Sequence, residues 1–453
     1  MRHCWLMLIV SLCCSVSLNA QDRPNILIIT VDNLGYGDLQ MYNANSEIKT
    51  PHLDKIAKQG ARLTSFYTAS PTCTVSRACL LTGRIPQRHG LTDQLGGVAG
   101  NYGIGLSHDE ILIPQILKTA PTPYVTGCFG KWNIGFAKGS RPTERGFDEF
   151  LGHASGNMDY YHHNYREKHD LYQGTEELHR EGEYASDIFA ATAIDFITRK
   201  SKRKQPWFCY LPFNAPHFPT AGNKIRGEPN IWQAPDWAFK SYDLSPEETD
   251  PRKRYAAVVT AVDRRIGDVI DSLDDLNIAN DTFVFFMSDN GAFRLNRAGL
   301  DVGINTPLRN GGVTCWEGGL RVPALARYPG HIKPGAVIDE PLWSPDLFVA
   351  AVELAAAKLP EDRVFDGKNP LPILSNNEST PHGSFFFQYR NHAALRKGDW
   401  KIVREKPDQP WLLFNLNSDP EESRNLAKTH QEKVTELTNL TQRWRAGFPS
   451  SNR

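Results

Sequence analysis

The stretch Asn25-Ile-Leu-Ile-Ile-Thr-Val31, running straight into Asp32-Asn33, decides the fold. A strand with one wet face alternates apolar and polar residues; this run stays apolar almost throughout, as a strand buried on both faces must. Thr282–Ser288 (TFVFFMS) and Trp207–Leu211 (WFCYL) have the same character. Amphipathic segments lie between them. In Tyr255–Leu276 the apolar residues Tyr255, Val258, Val262, Ile266, Ile270 and Leu273 recur at helical spacing, and Pro51–Ala61 and Ala185–Thr198 read the same way. Buried strands interleaved with such helices predict an α/β sandwich with a largely parallel central sheet. The composition shifts near Gly330. The expected organisation is a first unit over residues 21–330 and a smaller C-terminal α+β subdomain over 331–453, with a polar helical tail from Glu421 to Ala446.

The N-terminus carries Arg2 and His3, an apolar run through Val10 and Leu12–Leu18, and a small residue at Ala20. That order reads as a cleaved signal peptide over residues 1–20, giving a secreted or periplasmic chain. No later stretch is apolar for long enough to span a bilayer. Lys+Arg and Asp+Glu balance at 51 each, so nothing points to nucleic acid or to a membrane surface as partner. Cys73, Cys79, Cys128, Cys209 and Cys315 remain after the leader. In an oxidising compartment that odd count leaves at least one cysteine outside intrachain pairs.

Asp32-Asn33 follows one buried run and Asp289-Asn290 follows another. In open α/β sheets, ligand groups collect beyond the carboxyl ends of strands. Two such ends side by side would converge two carboxylates and two amide oxygens, a hard oxygen set suited to Ca²⁺ or Mg²⁺ rather than zinc. Asp-Asn before glycine is also ordinary turn chemistry.

Cys73-Thr74-Val75-Ser76-Arg77 opens a segment that runs to Leu81-Thr82-Gly83-Arg84, with Gly83 a candidate C-cap. At a helix N-terminus Cys73 would feel the field of free N–H groups, with Arg77 one turn on facing the same side. Such a place favours an anion and an activated nucleophile; a buried structural cysteine is the plain alternative.

This segment resembles the sulfatase signature, in which Cys-x-Pro-Ser-Arg is followed by Leu-Thr-Gly-Arg. Further sulfatase-like blocks follow in order: Asp32–Asp38 (DNLGYGD), Gly130–Gly135 (GKWNIG), Arg145–Phe150 (RGFDEF), Asn214–His217 (NAPH), Ser288–Gly291 (SDNG), Pro307–Arg309 (PLR), Trp316–Pro323 (WEGGLRVP), Arg396–Lys401 (RKGDWK) and Asp419–Leu426 (DPEESRNL). The resemblance implies an alkaline-phosphatase-like sandwich and hydrolysis of sulfate esters. Substrates would be a sulfated carbohydrate or an aryl sulfate. It implies that Cys73 is oxidised by a formylglycine-generating enzyme to 3-oxoalanine (formylglycine), whose hydrate is the nucleophile. It implies Ca²⁺, with Mg²⁺ the second choice, on Asp32, Asn33, Asp289, Asn290 and the modified Cys73. Arg77 would hold the formylglycine hydroxyl, Lys131 a sulfate oxygen, and His217 would bind sulfate or protonate the leaving oxygen.

Four positions depart from the family pattern. Asn33 stands for Asp, Val75 for the signature Pro, Asn133 for a His that helps break down the sulfated intermediate, and Gly312 for a sulfate-binding Lys. Arg309, Arg294 and Arg297 are the cations near enough in sequence to replace that Lys. Two other readings therefore stand beside the active sulfatase: a catalytically impaired relative that binds sulfated glycan, and a phosphodiester or phosphonate ester hydrolase of the same superfamily.

Overall fold

The computed structural model describes residues 23–95, 103–165, 168–219, 231–294 and 300–448. The leader and Arg297 lie outside the described residues. Ten strands form the main sheet, in the order 336–338, 61–63, 324–327, 282–288, 25–31, 207–212, 125–131, 149–153, 172–173 and 176–177. The five strands from Thr282–Ser288 to Glu149–His153 run parallel; antiparallel strands flank them on each side.

The unbroken apolar runs now have a cause. Leu27, Ile29 and Val31 face one core with the helices Pro51–Gln59, Ala185–Ser201 and Pro251–Asp275. Ile26 and Ile28 face a second core with Cys73–Thr82, Ile113–Leu117 and Asp346–Leu354. Both faces are dry, so neither parity of the strand can be polar. Each large aliphatic side chain buried this way contributes about 1.5–3 kcal/mol relative to exposure. The long helix begins at Pro251, four residues before the apolar pattern starts, because Asp250 caps it by accepting from the amides of Arg252 and Lys253.

The main sheet continues past residue 330, where the shift in composition placed a boundary. Ala336–Ile338 pairs in parallel with Ala61–Leu63, and Asp346–Leu354 packs on the second core. The second sheet begins only at Phe385. Its four antiparallel strands are Phe385–Tyr389, His392–Lys397, Trp400–Arg404 and Leu412–Asn415. The helix Gln431–Ala446 covers one face through Leu437. The helical tail thus starts ten residues later than expected. The other face packs Phe385, Phe387, Val403 and Phe414 against Tyr67, Val75, Cys79 and Trp316. The small sheet therefore sits directly behind the Cys73 helix. Among the described residues, no helix is long and apolar enough to cross a membrane, and all five described cysteines are free and buried.

Candidate active site

Strands Asn25–Val31 and Thr282–Ser288 pair in register, with Val31 opposite Ser288. Asp32 and Asp289 therefore leave the sheet at the same level. The Asn33 amide donates to Asp289 Oδ1 at 3.2 Å, and Asn290 Nδ2 donates to Asn33 Oδ1 at 2.5 Å. Asn33 has φ 64°, the left-handed region that Asn tolerates better than most side chains. Asn290 Oδ1 is buried with no hydrogen-bond partner among the described residues.

The helix Cys73–Thr82 starts at the cysteine and ends at Gly83, whose φ of 69° is the left-handed cap glycine allows. Cys73 Sγ lies 3.2 Å from Asp32 Oδ1 and 3.7 Å from Asn33 Oδ1. Arg77 donates through Nε and Nη2 to Asp289 Oδ2 at 3.0 and 2.7 Å, and through Nη1 to Lys131 O at 3.0 Å. Lys131 Nζ pairs with Asp32 Oδ2. His217 shares the cluster with Asp32 and Cys73, each offering a donor atom within 4.8 Å of the others. Its Nδ1 donates to Phe218 O at 2.6 Å. The fold thus brings together Asp32, Asn33, Cys73, Arg77, Lys131, His217, Asp289 and Asn290, all buried.

The electrostatics follow from that burial. Burial raises the Asp32 carboxyl, but Lys131, His217 and Arg77 together hold it below its ordinary range. Asp289, also buried and beside the Asp32 charge, is pushed up to about 6 despite Arg77. Burial drops His217 to about 4. The Cys73 thiol moves opposite to the activation expected from a helix N-terminus. Burial and the adjacent Asp32 raise it well above its normal value, more than Lys131 and Arg77 lower it. As a thiol, Cys73 is a poor nucleophile.

A divalent cation fits this donor set. Two carboxylates and two side-chain amides meet beside Cys73, Asn290 Oδ1 is an orphaned buried acceptor, and the oxygens of Asp32, Asn33, Asp289 and Asn290 suit a hard ion.

Asn133 and Gly312 are both filled by structure. Asn133, at φ 56°, accepts through Oδ1 from Thr74 Oγ1 at 2.9 Å and from Gln94 Nε2 at 3.4 Å. Gln94 Oε1 in turn accepts from the Thr74 amide at 3.2 Å, capping the first turn of the Cys73 helix. No sequence signal marks Gln94. Gly312 donates its amide to Ala292 O, and a Cβ there would meet Phe293 Cδ1 at 2.3 Å and Gly291 O at 2.7 Å. No lysine fits. The Phe293 ring, which meets the His217 ring edge-on at 5.8 Å, fills that space. Of the candidate substitutes, Arg309 is committed elsewhere: its guanidinium stacks over Trp316 at 3.8 Å and bonds Glu422 O. Arg294 is exposed.

Beside Asn33 and His217 a pocket is lined by Phe218, Trp232, Tyr255, Phe293 and Leu300. The loop that follows residue 152 packs rather than opens. Asp159 is buried and accepts from the amides of Tyr161 and His162 and from Gln233 Nε2, and Tyr160 OH donates to His217 O.

Family models, curated proteins and solved structures match this chain. The sulfatase family model matches residues 24–357, and the C-terminal model of N-sulphoglucosamine sulphohydrolase matches 314–446. N-acetylgalactosamine-6-sulfatase of Mus musculus is 31% identical over 95% of this chain and 82% of its own length; that of Sus scrofa is 33% identical over 92% and 79%. The crystal structure of Ps i-CgsB in complex with k-i-k-neocarrahexaose superposes with a TM-score of 0.82 at 30% identity, covering 93% of this chain and 92% of that one. A cysteine-headed helix set against paired Asp-Asn strand ends, on an alkaline-phosphatase-like sandwich matched along nearly its whole length, places this chain in the sulfatase family, as a sulfuric ester hydrolase.

Proposed function

We propose that this chain hydrolyses sulfate esters of a sulfated carbohydrate outside the cytoplasm, with Cys73, oxidised to formylglycine, as the nucleophilic position and Ca²⁺ at the two strand ends. The observation that carries the reading is the meeting of Asp32 and Asn33 at Cys73, with Asp289 and Asn290 bonded to Asn33, Arg77 held by Asp289 and Lys131 paired with Asp32. The substrate class is the one named for the mouse and pig relatives and seen in the Ps i-CgsB complex.

Asp32, Asn33, Asp289 and Asn290 would hold the ion, which supplies positive charge against the sulfate oxygens. Formylglycine supplies a hydrated carbonyl as nucleophile. Everything else falls to this chain's own groups. Arg77, locked on Asp289 and on the Lys131 carbonyl, fixes the orientation of the first helical turn and adds a buried positive charge beside the reacting position. Lys131 is held at the cluster through its pair with Asp32, whose Oδ2 also lies 4.0 Å from Arg77 Nη2. His217 keeps its Nδ1 proton on Phe218 O, which leaves Nε2 as the nitrogen free to accept a proton in the cluster. Folded Cys73 is 1% exposed. A formylglycine-generating enzyme therefore works on the segment before the sheet closes over it. Such timing accords with the leader read at residues 1–20, which routes the chain to a secreted or periplasmic destination.

A second reading, a glycan-binding relative with little turnover, is favoured by Asn133 acting as a hydrogen-bond acceptor where the family has a histidine. Mass spectrometry of the Cys73 peptide, with turnover of nitrophenyl sulfate against nitrophenyl phosphate, separates the two. Formylglycine mass and sulfate turnover abolished by Cys73→Ala are the expected results. Unmodified cysteine from a host with a competent modifying enzyme would sink the sulfatase mechanism. Faster turnover of the phosphate ester would reassign the substrate.

A further inference from the structure

A second group of metal-ligating side chains lies at the edge of the main sheet, in residues the hydrolytic site does not use. His169 sits beside the edge hairpin and donates Nε2 to two backbone carbonyls, Leu171 O at 3.1 Å and Leu178 O at 2.9 Å. A nitrogen so placed carries the ring proton, which leaves Nδ1 with its lone pair. That Nδ1 lies 3.9 Å from Glu181 Oε1, and His179 Nδ1 lies 2.9 Å from the same oxygen. The two imidazoles stack with centroids 4.2 Å apart. One donor atom from each of the three residues lies within 4.8 Å of the other two. Glu177 Oε2 stands 3.8 Å from His179 Nε2. The surroundings are acidic: Glu176, Glu177, Glu181 and Glu183 crowd the hairpin, and Arg180 is taken up by Glu183.

We propose that His169, His179 and Glu181 form a binding site for a divalent ion of the zinc class. Two imidazole nitrogens and a carboxylate select a borderline ion over the hard cations that suit the Asp32–Asp289 site. The anchoring of His169 through its other nitrogen is the arrangement that fixes the tautomer and ring plane of a metal-bound histidine. A tetrahedral zinc with bonds of about 2.0–2.1 Å keeps its ligand atoms about 3.4 Å apart. The observed 2.9 and 3.9 Å bracket that spacing. His179 and Glu181 are 60% and 51% exposed, so small rotations suffice. On binding, the ion replaces the proton that His179 Nδ1 shares with Glu181, and water takes the remaining position. The consequence is a cross-link. The strand Lys168–His169 becomes tied to the segment that leaves the edge hairpin at His179.

The test titrates the full chain with zinc chloride in excess Ca²⁺, after treatment with a zinc-selective chelator, and follows heat and melting temperature. Asp32, Cys73 and His217 also offer clustered donors, so the titration is run in parallel on Cys73→Ser. The expected result is one zinc equivalent and a raised melting temperature in both chains. His179→Ala and Glu181→Gln, both at exposed positions that the fold does not need, each lose that equivalent and the melting shift; His169→Ala does the same. The proposal is overturned if His179→Ala and Glu181→Gln keep the full equivalent, if Cys73→Ser loses it, or if a large excess of zinc produces neither heat nor a melting shift.

Discussion

Lys401 Nζ lies 2.8 Å from Glu317 Oε1 in a site with no solvent exposure, and 2.9 Å from Glu422 Oε1. Glu317 belongs to the turn behind the Cys73 helix, and Lys401 and Glu422 to the small sheet and its following loop. Tyr67 OH donates to Glu317 at 2.6 Å and accepts from Arg396 at 2.6 Å. One buried cation thus joins the small sheet to the short helix Glu317–Leu320. Burial and Glu317 push Glu422 up to about 7 even with Lys401 beside it. Lys401→Met leaves Glu317 buried without its partner and should lower unfolding free energy by about 3–5 kcal/mol, read from chemical denaturation. Adding Glu317→Gln and Glu422→Gln should return part of that loss.

Asp263 should give stability a pH slope. Buried on the long helix, it accepts from the His52 and Leu53 amides, yet burial raises it to about 7 from an ordinary 3.8. Its folded pKa exceeds the unfolded one, so its contribution is fully present below about pH 4 and is lost as pH rises through about 7. The loss is on the order of a few kcal/mol. Denaturation of Asp263→Asn between pH 4 and 8 should show a flatter profile than the parent chain; parallel profiles would refute the assignment.

Removing the ion should act on both activity and folding. Chelation is expected to abolish sulfate ester turnover and to lower the melting temperature, with Ca²⁺ restoring both and Mg²⁺ restoring less. Loss of turnover with an unchanged melting curve would place the ion elsewhere.

Asn133 orients the Cys73 turn. Asn133→Ala leaves Thr74 Oγ1 and Gln94 Nε2 without their acceptor, at a cost of about 1–3 kcal/mol. If the role is positioning, kcat falls while KM changes little, and Gln94→Ala reproduces the effect. A KM rise alone would instead make Asn133 a substrate contact.

The pair Phe293 and Gly312 can be tested by restoring the family residue. Gly312→Lys should destabilise the chain by about 1–3 kcal/mol through overpacking against the Phe293 ring and Gly291 O. Phe293→Ala should relieve part of that cost, and only the double variant should gain activity.

The sequence made the central strands legible because both their faces are dry, which leaves a run with no polar parity; Asn25–Val31 and Thr282–Ser288 came out residue for residue. The eight clustered residues were legible through their motif blocks. Long-range packing was not. Gln94 reaches Thr74 and Asn133 only after the chain folds back. A count of positions finds Gly312 but not the ring that fills its space. The short strand Ala336–Ile338, with Val337 half exposed at the sheet edge, looks like the start of a new unit because little of it is apolar and buried.

The in-register pairing of Asn25–Val31 with Thr282–Ser288 has a kinetic consequence. Asn33 and Asp289 are 256 positions apart, so no partially folded or truncated chain lacking the second strand can assemble the pocket. Contacts of such large sequence separation form late and slowly. During refolding, helical signal should recover first, and turnover should return only with the step that docks the Thr282–Ser288 strand, making enzymatic activity a clock for that docking.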